Sequence, residues 1–173
     1  DERFYDHSGI DFKRTLAVLS GLGSKGGGST VTQQLAKNMF HGRSKNIFQR
    51  VMQKAKEYVI AVMLERRYTK EEIIAMYFNT FDFVNNAVGI ESASRIYFNK
   101  KPKDLSVEEA AMFVGMLQNP SFYNPRRFEK RTRERRATVL RKLRDTGAIT
   151  SAQFEELKDK QIKLDFHPES ASD

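Results

Sequence analysis

From Ile47 to Met63, apolar residues return every three or four positions: Ile47, Phe48, Val51, Met52, Ala55, Tyr58, Val59, Val62 and Met63. A strand needs alternation at two, so the longest patterned stretch of this chain is committed to helix. The spacing predicts a helix over about 45–67. On a wheel of about 100° per residue, Val51, Ala55, Tyr58, Val59 and Val62 form its buried stripe. Glu57 falls nearly opposite, beside Arg50, Gln53, Lys54 and Ala61. Strand-type alternation is scarce throughout, so the fold class is mainly α.

Helix signals recur along the chain. A short helix is predicted over 10–22, with Phe12, Leu16 and Leu19 on one side. Glycine at the density of 21–28 forbids helix there, and Ser29 or Thr30 then caps a helix to about Phe40. Thr69-Lys70-Glu71-Glu72 and Ser106-Val107-Glu108-Glu109 have capping-box spacing, opening helices through Tyr77 and to about Gln118. The segment 89–97 reads as helical. Asn119-Pro120 is a stop and Tyr123-Asn124-Pro125 a turn. A strongly basic helix follows over 129–145, with Val139, Leu140 and Leu143 inside and Gly147 at its end. Thr150-Ser151 starts a last short helix.

At 173 residues with 39% hydrophobic content, thirteen Phe and no Trp, one domain with a substantial core is expected over 1–165. The polar residues 166–173 are expected to be a disordered tail. The absence of Cys excludes disulfides and thiolate metal sites. Three histidines, His7, His41 and His167, suggest no metal cluster. A formal net charge of +8 favours polyanionic partners, whether nucleic acid, an anionic membrane or a phosphorylated substrate. No stretch reaches the roughly 18 apolar residues of a membrane span, and the chain opens at Asp1 inside an already dense motif, as a cut fragment would.

A glycine-rich loop feeding a helix start presents free N–H groups and the positive end of the helix dipole. Ser29, Thr30 and Thr32 add hydroxyls, and Lys37 lies about two turns further on. This suits a phosphate or pyrophosphate, although on spacing alone an ordinary capped surface loop is the simpler reading. It is not a P-loop, because no Gly-Lys-Ser/Thr follows at the required spacing.

The run Gly27-Gly28-Ser29-Thr30-Val31-Thr32-Gln33-Gln34-Leu35-Ala36-Lys37-Asn38 resembles the second signature of the peptidoglycan glycosyltransferases. These form the polymerising domain of class A penicillin-binding proteins and of monofunctional transglycosylases. Asp1 through Asp11, with Phe4 and His7, resembles the first signature, and Gln53-Lys54-Ala55-Lys56-Glu57 the third. Lys70 with Ile73, Ile74 and Tyr77-Phe78-Asn79 resembles the fourth. Glu109-Ala110-Ala111, Gly115-Met116-Leu117, Tyr123-Asn124-Pro125 and Arg135-Arg136 complete the set, in order, over roughly 1–150.

The resemblance implies a lysozyme-like fold: a larger lobe, a smaller mobile lobe and a central cleft. It implies that lipid II is polymerised into β-1,4-linked glycan with inversion and release of polyprenyl pyrophosphate. Glu57 matches the family's second glutamate, which orients or stabilises the reacting centre. The wheel alone places Glu57 on a solvated face tied to Lys54 or Gln53. Pyrophosphate binding falls by resemblance to Lys37, with Ser29, Thr30, Gln33, Gln34, Arg43, Lys45, Gln53 and Lys54 around it. Gln53 stands where the family has Arg, which shifts weight to Lys54. Asp1, Phe4 and His7 are cleft scaffold. The family's general base falls one position before Asp1, so this fragment is expected to be inactive or impaired if that Glu is absent.

No cofactor is required; Mg or Mn could assist the leaving pyrophosphate, and no residue marks a metal site. Expected partners are lipid II, the growing glycan strand and the bacterial cytoplasmic membrane surface, with no nucleic acid. The expected location is the outer face of that membrane, with the anchor upstream and a transpeptidase domain possible downstream in the parent. The basic segment of Arg126, Arg127, Lys130, Arg131 and their neighbours reads by default as a solvated helix face, with an anionic leaflet or nucleic acid as sharper readings. Phe40, Phe48, Phe81 and Phe83 are candidates for an exposed apolar rim. Two other function classes remain: a lytic transglycosylase or muramidase, which would cut glycan, and a non-catalytic basic binding module.

Overall fold

A computed structural model of the chain describes residues 35–36 and 47–169. The predicted helix over 10–22, the glycine-rich break and the start of the next helix lie outside these residues. Within them, three of the six α-helices open on a capping box that the sequence supplies. Helix α1 spans Ile47–Arg67. Helix α2, Lys70–Thr80, opens on a complete capping box: Thr69 Oγ1 accepts from Glu72 N at 3.2 Å and Glu72 Oε1 accepts from Thr69 N at 3.4 Å. Helix α3, Ile90–Phe98, starts at Gly89 (φ +84°) and ends on Asn99 in the left-handed region. A 3-10 turn at Pro102–Asp104 precedes α4, Val107–Met116, which is boxed by Ser106 and Glu109. Helix α5 covers Glu129–Asp145, and α6, Ser151–Leu157, opens on a third box from Thr150 and Gln153. Each such cap contributes about 1 kcal/mol. Among the described residues the only β pairing is an isolated antiparallel bridge between Asp82 and Val88.

The chain divides into two compact units, Asp1–Phe81 and Asp82–Asp173. In the first, α1 leads into α2, and the Glu65 carboxylate holds the Lys70 ammonium at 2.8 Å, which fixes the turn between them. Tyr77 meets Phe81 edge-on at 5.6 Å. Leu35 and Ala36 are helical and buried, inside the helix predicted from Ser29 or Thr30 to Phe40.

In the second unit, α4 packs along α5, and α6 closes against α5. Phe113 of α4 is the centre of an aromatic core, with Phe83, Phe98 and Tyr97 at centroid distances of 5.3, 5.6 and 5.8 Å. Ala111, Leu140, Ile149 and Phe154 form a second cluster, onto which Val139 and Leu143 pack as the sequence predicts. Gly115 lets α5 come close: a Cβ there would stand 3.0 Å from Arg135 Cγ, while Arg135 Nε donates to the Gly115 carbonyl.

Three expectations are corrected. The buried stripe of α1 lies on the other side: Glu57, Ala61 and Leu64 are buried, while Met52, Ala55, Tyr58, Val59 and Met63 are exposed. Phe83 is fully buried and belongs to the core rather than to an exposed rim; Phe40 and the Phe48 side chain lie outside the described residues. Residues 166–169, expected in a disordered tail, are tied down. Asp165 N and His167 N donate to the carbonyls of Tyr97 and Ile96, and Phe166 packs on Tyr97. The physical reason is the end of α3, whose last carbonyls have no partner inside the helix and take these amides instead.

Candidate active site

Glu57 sits in the middle of α1, four residues before Ala61 and seven before Leu64, a spacing that puts all three on one face. It is only 5% exposed. Burying a carboxylate is costly unless a donor or cation meets it, and Lys54, one turn earlier, supplies one: its ammonium lies 2.9 Å from Glu57 Oε2. Lys54 itself keeps 49% of its side chain exposed, so the pair joins a buried anion to a cation that reaches solvent. Gln53, four residues before Glu57 on the same face, is half-buried. The structure therefore pairs Lys54 with Glu57, two of the residues singled out from the sequence, with Gln53 on the same helix. The solvated-face reading of Glu57 does not hold. Asp1, Phe4, His7, Ser29, Thr30, Gln33, Gln34, Lys37, Arg43 and Lys45 lie outside the described residues.

The second unit carries a polar network that sequence reasoning missed. Val84, Asn85 and Asn86 all have positive φ, between 52° and 63°. For a β-branched residue such as Val84 this conformation is strained, and such strain persists only where surrounding bonds over-determine it. Those bonds are present. Asp82 Oδ1 accepts from Val84 N, and Asn85 Nδ2 donates to Tyr97 Oη at 2.8 Å and to Asn124 Oδ1 at 3.1 Å. Tyr97 Oη donates in turn to the Phe83 carbonyl at 2.6 Å. Burial pushes the Tyr97 hydroxyl up to about 12, so it stays a donor. Asn124, the middle residue of the Tyr-Asn-Pro signature, is thus the buried anchor of a turn. The adjacent Asn85-Asn86 pair was the available signal, since Asn tolerates the left-handed region.

Among the described residues no group of three His, Asp or Glu side chains is placed to hold a metal ion. No described helix is long and apolar enough to cross a membrane.

A mainly helical chain with a buried, lysine-paired glutamate on its longest helix can be compared with known families. The transglycosylase family model matches residues 1–144. Similar proteins include penicillin-binding protein 1F of Bacillus subtilis, 41% identical over 158 residues, which are 88% of this chain and 21% of that protein. Penicillin-binding protein 2a of Streptococcus pneumoniae is 37% identical over 96% of this chain and 22% of its own length. Penicillin-binding protein 1A of Escherichia coli is 36% identical over 99% and 20%. The chain belongs to the transglycosylase family: it is a peptidoglycan glycosyltransferase domain with that family's mainly α, lysozyme-like fold. It spans about a fifth of the length of these relatives.

Proposed function

We propose that this domain joins lipid II units into β-1,4-linked glycan with inversion at the anomeric carbon. The observation that carries the reading is the near-complete burial of Glu57 beside Lys54, on the face of α1 that the solvated-helix alternative would turn outward. In the proposed step the acceptor's 4-hydroxyl oxygen bonds to the donor's anomeric carbon as the bond to pyrophosphate breaks. The hydroxyl proton passes to a carboxylate, which by resemblance is the glutamate one position ahead of Asp1. Glu57 orients the reacting centre and stabilises the charge that develops there. Lys54 holds the Glu57 carboxylate and, with Gln53, forms the edge of the pyrophosphate subsite. Lys37, with Ser29, Thr30, Gln33, Gln34, Arg43 and Lys45, takes the departing pyrophosphate; Asp1, Phe4 and His7 are scaffold. No cofactor enters the step, and Mg or Mn would serve only to neutralise the leaving group.

The donor is lipid-linked, so the domain works against the outer face of the bacterial cytoplasmic membrane, with lipid II and the growing strand as partners. The relatives are named for binding penicillin, which supports a transpeptidase domain elsewhere in the parent protein. The test is polymerisation of lipid II in detergent, reading polyprenyl pyrophosphate release, by this chain and by one extended upstream by a Glu-bearing segment. Release of one pyrophosphate per glycosidic bond by the extended chain is the expected result. Cleavage of preformed glycan without it would overturn the reading in favour of a muramidase. Lys37→Ala is expected to lower turnover about tenfold or more without unfolding, since one charge-assisted contact is worth about 1.5–3 kcal/mol. Unchanged turnover would refute the pyrophosphate assignment.

A further inference from the structure

We propose that the surface formed by Phe122, Phe128 and the first turns of α5 docks on anionic phospholipid. The inference rests on the proposed lipid-linked donor and names the part of the second unit that meets the bilayer. Over residues 121–135, which leave out the buried Arg136, there are six Arg and Lys against two Glu, a net +4 in fifteen residues of a chain whose total is +8. Phe122 and Phe128 are 46% and 38% exposed, large apolar side chains in the middle of that charge.

The two rings are held as one unit. The Arg131 guanidinium lies 3.9 Å from the Phe122 ring centroid and 4.4 Å from that of Phe128, and its Nη1 donates to the Phe122 carbonyl. Tyr123 meets Phe122 edge-on at 5.0 Å and supports it from behind. Little conformational freedom is therefore left to lose on docking. Beside the rings, Arg127, Phe128, Lys130 and Arg131 with two glutamates line an open depression of roughly 470 Å³, wide enough for a phosphate headgroup. One of those glutamates, Glu129, is already engaged by Arg133 and by the Ile162 amide. Arg127 and Lys130 are exposed and make no ion pair among the described residues.

Rigid aromatic rings flanked by unpaired cations match the chemistry of an anionic membrane interface, where the rings enter the headgroup layer and the cations meet lipid phosphates. Nucleic acid is the less suitable occupant, because Arg131 already covers one face of each ring on which a base would stack.

Sedimentation of the chain with vesicles tests this without any glycan substrate. Binding to vesicles of phosphatidylglycerol in phosphatidylcholine is expected, with none to phosphatidylcholine alone, and with loss in high salt. Arg127→Gln/Lys130→Gln should weaken partitioning about tenfold or more, and Phe122→Ser/Phe128→Ser should weaken it while leaving the helical circular dichroism unchanged. Three results would overturn the proposal: equal binding to neutral vesicles, folded variants that bind like the parent, or loss of binding only when Met52, Val59 and Met63 of α1 are changed. Oligonucleotide displacing bound vesicles would overturn it in favour of nucleic acid. Polymerisation in detergent reads the proposed function separately, so failure of one is distinguishable from failure of the other.

Discussion

The two longest described helices, α1 and α5, each bury one charged side chain among those described, and it is met in different ways. Glu57 of α1 is met by a side chain, the half-exposed Lys54. Arg136 of α5, 2% exposed, is met by backbone: its Nη2 donates to the Leu157 carbonyl at 3.3 Å and to the Lys160 carbonyl. Those carbonyls lie at and beyond the end of α6, where helix geometry leaves acceptors unfilled. Arg136 is therefore a clasp for the chain after α6, whereas among the described residues Glu57 closes no helix end. A charge that completes a helix end belongs to the architecture. The buried Glu57, met by a half-exposed lysine, is the charge proposed to act on substrate.

The largest expected effect breaks this comparison on the α1 side. Glu57→Gln keeps the shape and removes the charge. Turnover of lipid II is expected to fall about 100-fold or more, with thermal stability unchanged or slightly raised. Turnover near that of the parent would reduce Glu57 to a packing residue. On the α5 side the effect is expected in stability instead. Arg136→Ala leaves the Lys160 carbonyl without its guanidinium donor and the Leu157 carbonyl with the Lys160 amide alone, and it opens a cavity, at a cost of about 3 kcal/mol, while turnover per folded molecule holds. A melting temperature like that of the parent would remove the clasp.

A smaller effect follows from the same clasp. The Lys160 ammonium pairs with Glu108 at 3.0 Å. Burial raises the Glu108 carboxyl, but the backbone N–H at the start of α4 and Lys160 outweigh it, so its pKa is lowered overall. A depressed carboxylate contributes stability that is present above its unfolded pKa and lost as pH falls through the folded one. Glu108→Gln should therefore lower stability at neutral pH, with the difference from the parent closing as pH falls below about 4.5, so that the acid limb of the stability curve is flatter. An unchanged acid limb would mean that Glu108 gives no such contribution.

How much of this was legible in the sequence also divides along α1 and α5. Helix ends were readable because caps are local: the Thr69 and Ser106 boxes form as their spacing predicts, and α5 runs over the residues assigned to it, with Gly147 at φ +81° just beyond. The inner face of α5 was readable because Val139, Leu140 and Leu143 are the few apolar residues in a basic helix. The inner face of α1 was not. Both of its sides carry apolar residues, and periodicity reports how much apolar surface each side offers, not which side meets neighbours. The larger side chains, Met52, Tyr58, Val59 and Met63, are outward, and small Ala61 with Leu64 flanks the buried acid. The wheel put Glu57 on a solvated face, and the structure buries it. Arg136 belongs to the last signature, but nothing local marks it as the buried one among its neighbouring arginines, and the Asn85–Asn124 bond joins positions 39 residues apart, beyond any local rule.

The smallest predicted effect tests the orientation of α1 directly. If the helix faced as its larger apolar residues suggest, Val59 would be core, and a charge there would cost several kcal/mol. With Val59 56% exposed, Val59→Lys should change stability by no more than about 0.5 kcal/mol. Leu64→Ala, five residues along and 8% exposed, removes buried methyl groups and should cost about 2–3 kcal/mol. The pair is best measured by urea denaturation, because an unchanged m-value shows that the same folded state is being compared. Equal costs at the two positions would mean that both sides of α1 are covered. The reverse order would restore the pattern-based orientation and with it an exposed Glu57.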